Sequence, residues 1–383
     1  MKDLYILSLH LAYGGLQRAV CEFANLMAEH YQVHILSFYD MPSGPAYPID
    51  SRVSIRYLYN DIPNREEFKA ALKEKRPLSA LKEGIRATRT LIAKRTGIIR
   101  AVKGISSGII VSTRDEYAVL LSRYGKKNVV KIAQLHQDFA YEKQMPRHFA
   151  HDYENIDLFT LLSPKLAREA KEIMKENRHT KVVYVPNFMM EVPPEASLTE
   201  KKKEVIAVGR LHPVKGFDRM IESFASLHAA FPDWTLRIVG DGEEYPKLEK
   251  TVRDCKAEEY VILAGKYTTE EIAAAMAEAS VYAMSSYSEG FPYVLLEAMA
   301  GSLPIVAYDT RGGLDMLVKQ GENGYLVQTK EAFEKSLAAL MRDTELREKM
   351  ALKSRSLVQQ FTGEAVAETW YQLIEEQCHD KEV

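Results

Sequence analysis

Short apolar runs alternate with amphipathic stretches along almost the whole chain, and the alternation stops once and then restarts. Residues 4–9 form an apolar run, and the turn Tyr13-Gly14-Gly15 follows. Ala19, Val20, Phe23, Ala24, Leu26 and Met27 then recur at the three- and four-residue spacing of one helix face. Runs at 33–38, 54–59, 108–112, 130–134, 158–162 and 182–185 predict further strands with helices between them. A chain that alternates in this way folds as a parallel sheet, because parallel neighbours are joined only by long crossovers, usually helices. Residues 187–203, with Pro193-Pro194 and Glu200-Lys201-Lys202-Lys203, carry no period and read as a linker. Strand candidates then resume at 205–208, 235–239, 261–263, 281–284 and 304–307. The length of 383 residues suits two domains of this kind. We expect an α/β protein with doubly wound parallel sheets in two domains facing a central cleft. The expected bounds are 1–187 for the first domain, 188–203 for the linker and 204–362 for the second. The helical tail over 363–383 either stays with the second domain or crosses back to the first.

Composition narrows the function classes. With 46% hydrophobic and 27% charged residues, disordered, collagen-like and membrane-spanning classes are disfavoured. Cys21, Cys255 and Cys378 are too far apart for a disulfide framework or a spaced zinc site, which fits a reducing compartment. No targeting segment is recognisable, so a cytoplasmic protein is expected. A formal net charge of −2 gives no global attraction to nucleic acid. The sum hides one asymmetry. Lys75, Arg76, Lys82, Arg86, Arg89, Lys94, Arg95, Arg100 and Lys103 are opposed over that stretch by Glu83 alone, a local +8 that leaves −10 for the remainder. Leu78, Ile85, Ile92 and Ile99 repeat every seven residues through it, and Gly84 and Gly97 weaken it enough to suggest two helices. One account is a crossover helix whose apolar stripe is consumed by the core and whose basic face is solvated. The other is a basic face that docks on anionic lipid through Arg76, Lys82, Arg86, Arg89, Lys94, Arg95, Arg100 and Lys103, peripheral to the inner face of the membrane.

The segment Ser285–Ala300 carries the clearest chemistry. A strand ends in a polar loop, Gly290 and Pro292 follow, and a helix starts near Tyr293. A helix start behind a strand presents backbone N–H groups and partial positive charge to an anion. Glu289 precedes that start. Glu297 lies one turn inside it within an apolar run, where a carboxylate needs a partner.

Glu289 and Glu297 with seven residues between them, the segment Gly209-Arg210-Leu211…Lys215-Gly216, Val239-Gly240-Asp241-Gly242, Leu263-Ala264-Gly265, Gly321-Glu322-Asn323-Gly324 and Val185-Pro186-Asn187 together resemble the family-4 retaining glycosyltransferases. That family has the GT-B fold of two Rossmann-like domains. The resemblance is strong in the second half of the chain and weak in the first. It implies transfer of a sugar from a nucleotide diphosphate donor, a UDP-sugar favoured, to a hydroxyl of a lipid-linked glycan acceptor in cell-envelope polysaccharide synthesis. It implies that Arg210 and Lys215 grip the diphosphate, that Glu297 holds the ribose, and that Glu289 contacts the sugar. Gly209, Gly290, Phe291, Pro292 and Tyr293 would surround the donor, with Lys266 and Tyr267 beside the base. In the first half, Gly14 and Gly15 would lie against phosphate or acceptor, and His136 would touch the donor sugar. No cofactor and no metal are expected. Two alternatives stay open: a nucleotide-sugar 2-epimerase on the same fold, and a non-catalytic nucleotide-sugar-binding protein. A dinucleotide-binding loop is disfavoured, since Gly240-Asp241-Gly242 is followed by Tyr245 where a third glycine is needed.

Overall fold

The computed structural model describes residues 1–383 except 140, 141, 143, 195–197, 199, 200, 311, 382 and 383, and sets aside the side chains of 65 and 66. Part of the expected linker therefore lies outside the described residues. The chain divides into two compact units, Met1–Val185 with Ala367–Val383, and Pro186–Val366.

In the first unit the order is β1 (Asp3–Ser8), α1 (Gly15–Met27), β2 (Gln32–Tyr39), β3 (Ser54–Tyr59), α2 (Arg65–Lys73), α3 (Pro77–Gly104), β4 (Ile109–Ser112), α4 (Asp115–Tyr124), β5 (Val130–Leu135), α5 (Met145–His151), β6 (Leu158–Leu161), α6 (Pro164–Ile173) and β7 (Lys181–Tyr184). The seven strands pair in the order β3-β2-β1-β4-β5-β6-β7, every pair parallel. Helices cover both faces of such a sheet, so its inner strands read as continuous apolar runs, and β4 and β6 are buried at every residue. The edge strand β3 tolerates Ser54 and Arg56. Ser163 caps α6 by accepting from the Leu166 amide at 3.3 Å, with Pro164 at the first helical position.

The segment expected to form two helices is one, α3, of 28 residues. Its glycines face neighbours. A Cβ at Gly84 would stand 3.5 Å from Phe68 of α2, and one at Gly97 would stand 3.5 Å from Phe38 of β2. The helix thus approaches both partners closely at the points where its own propensity is weakest.

The second unit holds β8 (Glu204–Val208), α7 (Phe217–Leu227), β9 (Thr235–Val239), α8 (Tyr245–Asp254), β10 (Val261–Gly265), α9 (Thr269–Glu278), β11 (Val281–Met284), α10 (Tyr293–Ala300), β12 (Ile305–Tyr308), β13 (Gly324–Val327), α11 (Lys330–Arg342) and α12 (Thr344–Val358). Its strands are again all parallel, ordered β10-β9-β8-β11-β12-β13. β13 adds an edge strand from the Gly321–Val327 segment. Its core gathers Trp234, Phe224, Ile238, Ala283 and Phe333. Thr268 and Glu271 form a reciprocal capping box at the start of α9. The last helix, α13 (Gly363–His379), begins in the second unit, and from Ala367 onward belongs to the first. There Trp370 packs edge-on against Phe23 at 4.8 Å and the Tyr371 hydroxyl donates to the Leu26 carbonyl at 3.1 Å.

Candidate active site

In an open parallel sheet, ligands sit beyond the carboxyl ends of the strands where the strand order reverses. In the second unit that point lies between β8 and β11. β8 runs out at Val208, and Gly209 and Arg210 follow. Buried Leu211 then anchors the loop. His212 caps the short turn Pro213–Lys215, its Nδ1 accepting from the Val214 amide at 3.2 Å. From this turn Lys215 extends its Nζ to within 2.6 Å of Glu289 Oε1, in the loop after β11. Ser286 Oγ donates to the same carboxylate oxygen at 2.5 Å. The lysine stem passes Gly209, where a Cβ would stand 3.5 Å from its Cε. The Lys215 and Glu289 side chains keep 22% and 11% exposure, so the pair is screened from solvent yet reachable. Arg210 is exposed and makes no ion pair among the described residues. The loop after β8 thus carries one cation held by a carboxylate and a second, exposed cation, Arg210, five residues earlier.

The polar loop after β11 is held rigid from beneath. The Arg219 guanidinium, on α7, donates to the Ser285 carbonyl at 2.9 and 2.5 Å and to the Ser286 carbonyl at 3.0 Å. It lies between the rings of Tyr287 and Tyr308, 3.9 and 3.7 Å from their centroids. Ser285 Oγ returns a bond to the Lys215 carbonyl at 2.9 Å. After β12, Gly312 backs onto the same loop, where a Cβ would stand 1.8 Å from the Glu289 carbonyl oxygen. Asn187 donates to the Phe291 carbonyl at 3.2 Å. Phe291 and Tyr293 are buried, and Pro292 takes the cap position of α10. Glu297, one turn in, is half-buried between buried neighbours. Burial pushes the Tyr282 phenol well above its ordinary value, and the charges of Glu289 and Glu297 push it further. Its hydroxyl donates to the Val208 carbonyl at 3.4 Å. Both carboxylates therefore lie near enough to feel the Tyr282 hydroxyl, which itself reaches the end of β8.

Of the expected donor-side residues, Gly209, Arg210, Lys215, Glu289, Gly290, Phe291, Pro292, Tyr293 and Glu297 all lie along this one rim. Lys266 and Tyr267 follow β10, two strands from β8. Lys266 is exposed on the rim, whereas the Tyr267 hydroxyl accepts from Arg237 Nη1 at 3.2 Å. Arg237 is in turn paired with Glu204 at 2.9–3.0 Å, which ties the phenol to a structural ion pair. Sequence inspection missed Arg219 and Gly312. The signal for Gly312 was present, since Gly312-Gly313 follows a strand as Gly14-Gly15 does.

In the first unit the reversal lies between β1 and β4. Gly14 caps α1 and Gly15 opens it, directly beyond β1. His136 follows β5, its Nε2 3.2 Å from Gln134 Oε1. His10, which sequence inspection passed over, follows β1. Its Nε2 lies 3.5 Å from Gln17 Nε2, and its buried Nδ1 has no hydrogen-bond partner among the described residues. Burial, then the nearby charge of Arg114, hold its pKa below the ordinary histidine value. Among the described residues, no group of three His, Cys, Asp or Glu side chains is placed to hold a metal ion.

Known proteins share this architecture. The crystal structure of pneumococcal O-GlcNAc transferase GtfA, in complex with UDP and GlcNAc, superposes with a TM-score of 0.76 over 99% of both chains at 15% identity. That of a point mutant of S. aureus TarM, in complex with fondaparinux, alpha-GlcNAc-glycerol and UDP, superposes with a TM-score of 0.75 over 98% of this chain and 100% of the other at 14% identity. The fold is therefore GT-B, two Rossmann-like parallel-sheet domains. Residues 190–357 match the family described as glycosyl transferases group 1. An exopolysaccharide phosphotransferase of Streptomyces coelicolor is 27% identical over 98% of this chain and 41% of its own length. An uncharacterised glycosyltransferase of Haemophilus influenzae is 31% identical over 54% of this chain and 58% of its own length. The chain thus spans about half the length of these relatives. The amylovoran biosynthesis glycosyltransferase AmsD of Erwinia amylovora is covered almost whole, at 26% identity over 94% of this chain and 96% of that protein.

Proposed function

We propose that this protein is a retaining glycosyltransferase that moves a sugar from a nucleotide diphosphate sugar, a UDP-sugar favoured, to a hydroxyl of a lipid-linked glycan in cell-envelope polysaccharide synthesis. One observation carries the proposal: Lys215 is held 2.6 Å from Glu289 at the β8–β11 reversal, with exposed Arg210 in the same loop after β8. When the donor binds, Arg210 and Lys215 take the diphosphate oxygens, Glu297 accepts from the ribose hydroxyls, and Glu289 turns toward the sugar. The acceptor oxygen then bonds to the anomeric carbon as the bond to the β-phosphate oxygen breaks, and the acceptor proton passes to the departing diphosphate on the same face. The charge that grows on the diphosphate meets Lys215, held in a partly screened position, and Arg210, which folds onto it from the same loop; electrostatic stabilisation of this kind is usually the largest single contribution to catalysis. The names of the Streptomyces exopolysaccharide phosphotransferase and the amylovoran biosynthesis glycosyltransferase AmsD support a role in polysaccharide synthesis.

The name of the Streptomyces relative motivates a second possibility, transfer of a sugar phosphate. The two differ in leaving group: sugar transfer releases a nucleoside diphosphate and sugar-phosphate transfer a nucleoside monophosphate. A thermal-shift screen of nucleotide sugars identifies the donor, since ligand at a hundred times its Kd adds about 2.7 kcal/mol. With that donor, Lys215→Ala and Arg210→Ala are each expected to lower turnover by ~100-fold or more while keeping the native circular dichroism. Wild-type turnover in both variants, or release of the monophosphate, would sink the assignment.

A further inference from the structure

Five of the thirteen exposed large hydrophobic side chains of the described protein belong to α3. Leu78, Leu81, Ile85 and Ile92 are 83, 62, 47 and 59% exposed. Spacings of three, four and seven residues place these four on a single stripe. The apolar residues of α3 divide along its length: Ile98 and Val102 are buried in the core and Ile99 packs against it, whereas Leu78, Leu81, Ile85 and Ile92 stay exposed. Its first half packs against α2, and Phe68, Gly84, Leu81 and Ile85 line the shallow groove between them.

The charges around the stripe are sorted. Arg86 is paired with Asp61, Lys94 with Glu116 and Arg76 with Glu74, while Lys103 lies over the Tyr124 ring. Lys82, Arg89, Arg95 and Arg100 are exposed and have no ion pair among the described residues. Lys82, Arg89 and Arg100, seven and eleven residues apart, line one border of the stripe, and Arg95 borders it on the other side. An apolar stripe between free cations is the composition of a helix lying in a bilayer interface: apolar side chains enter the acyl boundary and long cationic ones reach back to phosphate. A symmetric contact with a second copy would instead set the local +8 against itself. No described helix is long and apolar enough to cross a membrane, so contact of this kind is peripheral.

We propose that α3 is an interfacial helix that seats this protein on an anionic lipid surface, Leu78, Leu81, Ile85 and Ile92 entering the bilayer boundary and Lys82, Arg89, Arg95 and Arg100 meeting lipid phosphates. The inference is independent of sugar transfer. The full chain is sedimented with vesicles of phosphatidylcholine containing roughly 30% phosphatidylglycerol, and with phosphatidylcholine alone, at about 0.1 M and about 0.5 M salt. Binding is expected only to the anionic vesicles, weakening at the higher salt. Each removed cation should weaken it about 5-fold, so Lys82→Gln with Arg89→Gln should weaken it about 30-fold. Leu81→Ser with Ile85→Ser and Ile92→Ser should abolish it with every charge in place. All these positions are exposed, so melting temperature should stay within a few degrees, and should the serine variant misfold, the charge variant still decides. Equal binding to neutral vesicles, no binding, insensitivity to the serine changes, or a lipid-independent dimer that the serine changes dissolve would each overturn the proposal.

Discussion

Alanine at Gly312 tests whether the loop after β11 must stand where it does. The added Cβ would lie 1.8 Å from the Glu289 carbonyl oxygen and 2.4 Å from that of Gly290, and side-chain carbons stay beyond 3.0 Å of such atoms. The two loops must therefore part by about 1.2 Å, the difference between 3.0 and 1.8 Å. Arg219 clamps the loop's stem at Ser285 and Ser286, so the shift falls on Glu289 and Gly290. Displacing a reacting group by about 1 Å costs ~100-fold in rate. Overpacking adds ~1–3 kcal/mol of destabilisation, at about 2–4 °C of melting temperature per kcal/mol for a unit of this size. The assay measures nucleoside diphosphate release with the donor selected by thermal shift, alongside thermal melts. Gly104→Ala, where a Cβ meets nothing within 4 Å, is the control. Turnover within threefold of wild type in Gly312→Ala would refute the link between this contact and the position of Glu289.

Three more outcomes are expected. Gly84→Ala and Gly97→Ala should each stabilise α3 by about 0.5–1 kcal/mol, because the new methyl meets only ordinary 3.5 Å contact with Phe68 or Phe38; a lower melting temperature would contradict this. Arg219→Gln should cost about 1.5–3 kcal/mol in urea denaturation and weaken nucleotide binding measured by calorimetry, with Lys215 and Glu289 untouched; unchanged affinity would show that the clamp does not position the site. Folded His10 stays neutral at pH values where the unfolded chain takes up a proton, so its contribution to stability is present above the unfolded pKa and falls as pH drops through it, near pH 6.5. Urea midpoints between about pH 7 and pH 5 should fall less steeply in His10→Asn, and an identical slope would remove His10 as the cause.

The strands were legible because parallel sheets covered on both faces demand unbroken apolar runs, as in β4 and β6. The α3 stripe was only half legible: a seven-residue repeat says that Leu78, Ile85, Ile92 and Ile99 share a face, and nothing in it says that a neighbour covers Ile99 and leaves the other three exposed. Glu289 and Lys215 were recognisable from their motifs. Their contact spans 74 residues and exists only because β8 and β11 are neighbours, which no local spacing encodes. Arg219 escaped notice because its partners are backbone carbonyls and two tyrosine faces, and none of these leaves a motif.

The return of α13 to the first unit sets an order of events on the ribosome. The second unit is one contiguous segment, Pro186–Val366, while the first needs Ala367–Val383 as well as Met1–Val185. Trp370 closes over Phe23, and Lys381 donates to the Val129 carbonyl at 2.7 Å, so the α1 and β5 regions wait for partners encoded far downstream. The 181 residues between the two parts take roughly 10–40 s to translate at 5–20 residues per second. The part of the protein made first is thus the last to be completed. For that interval its unfinished surface is exposed to chaperones and proteases while the contiguous second unit already has all of its residues.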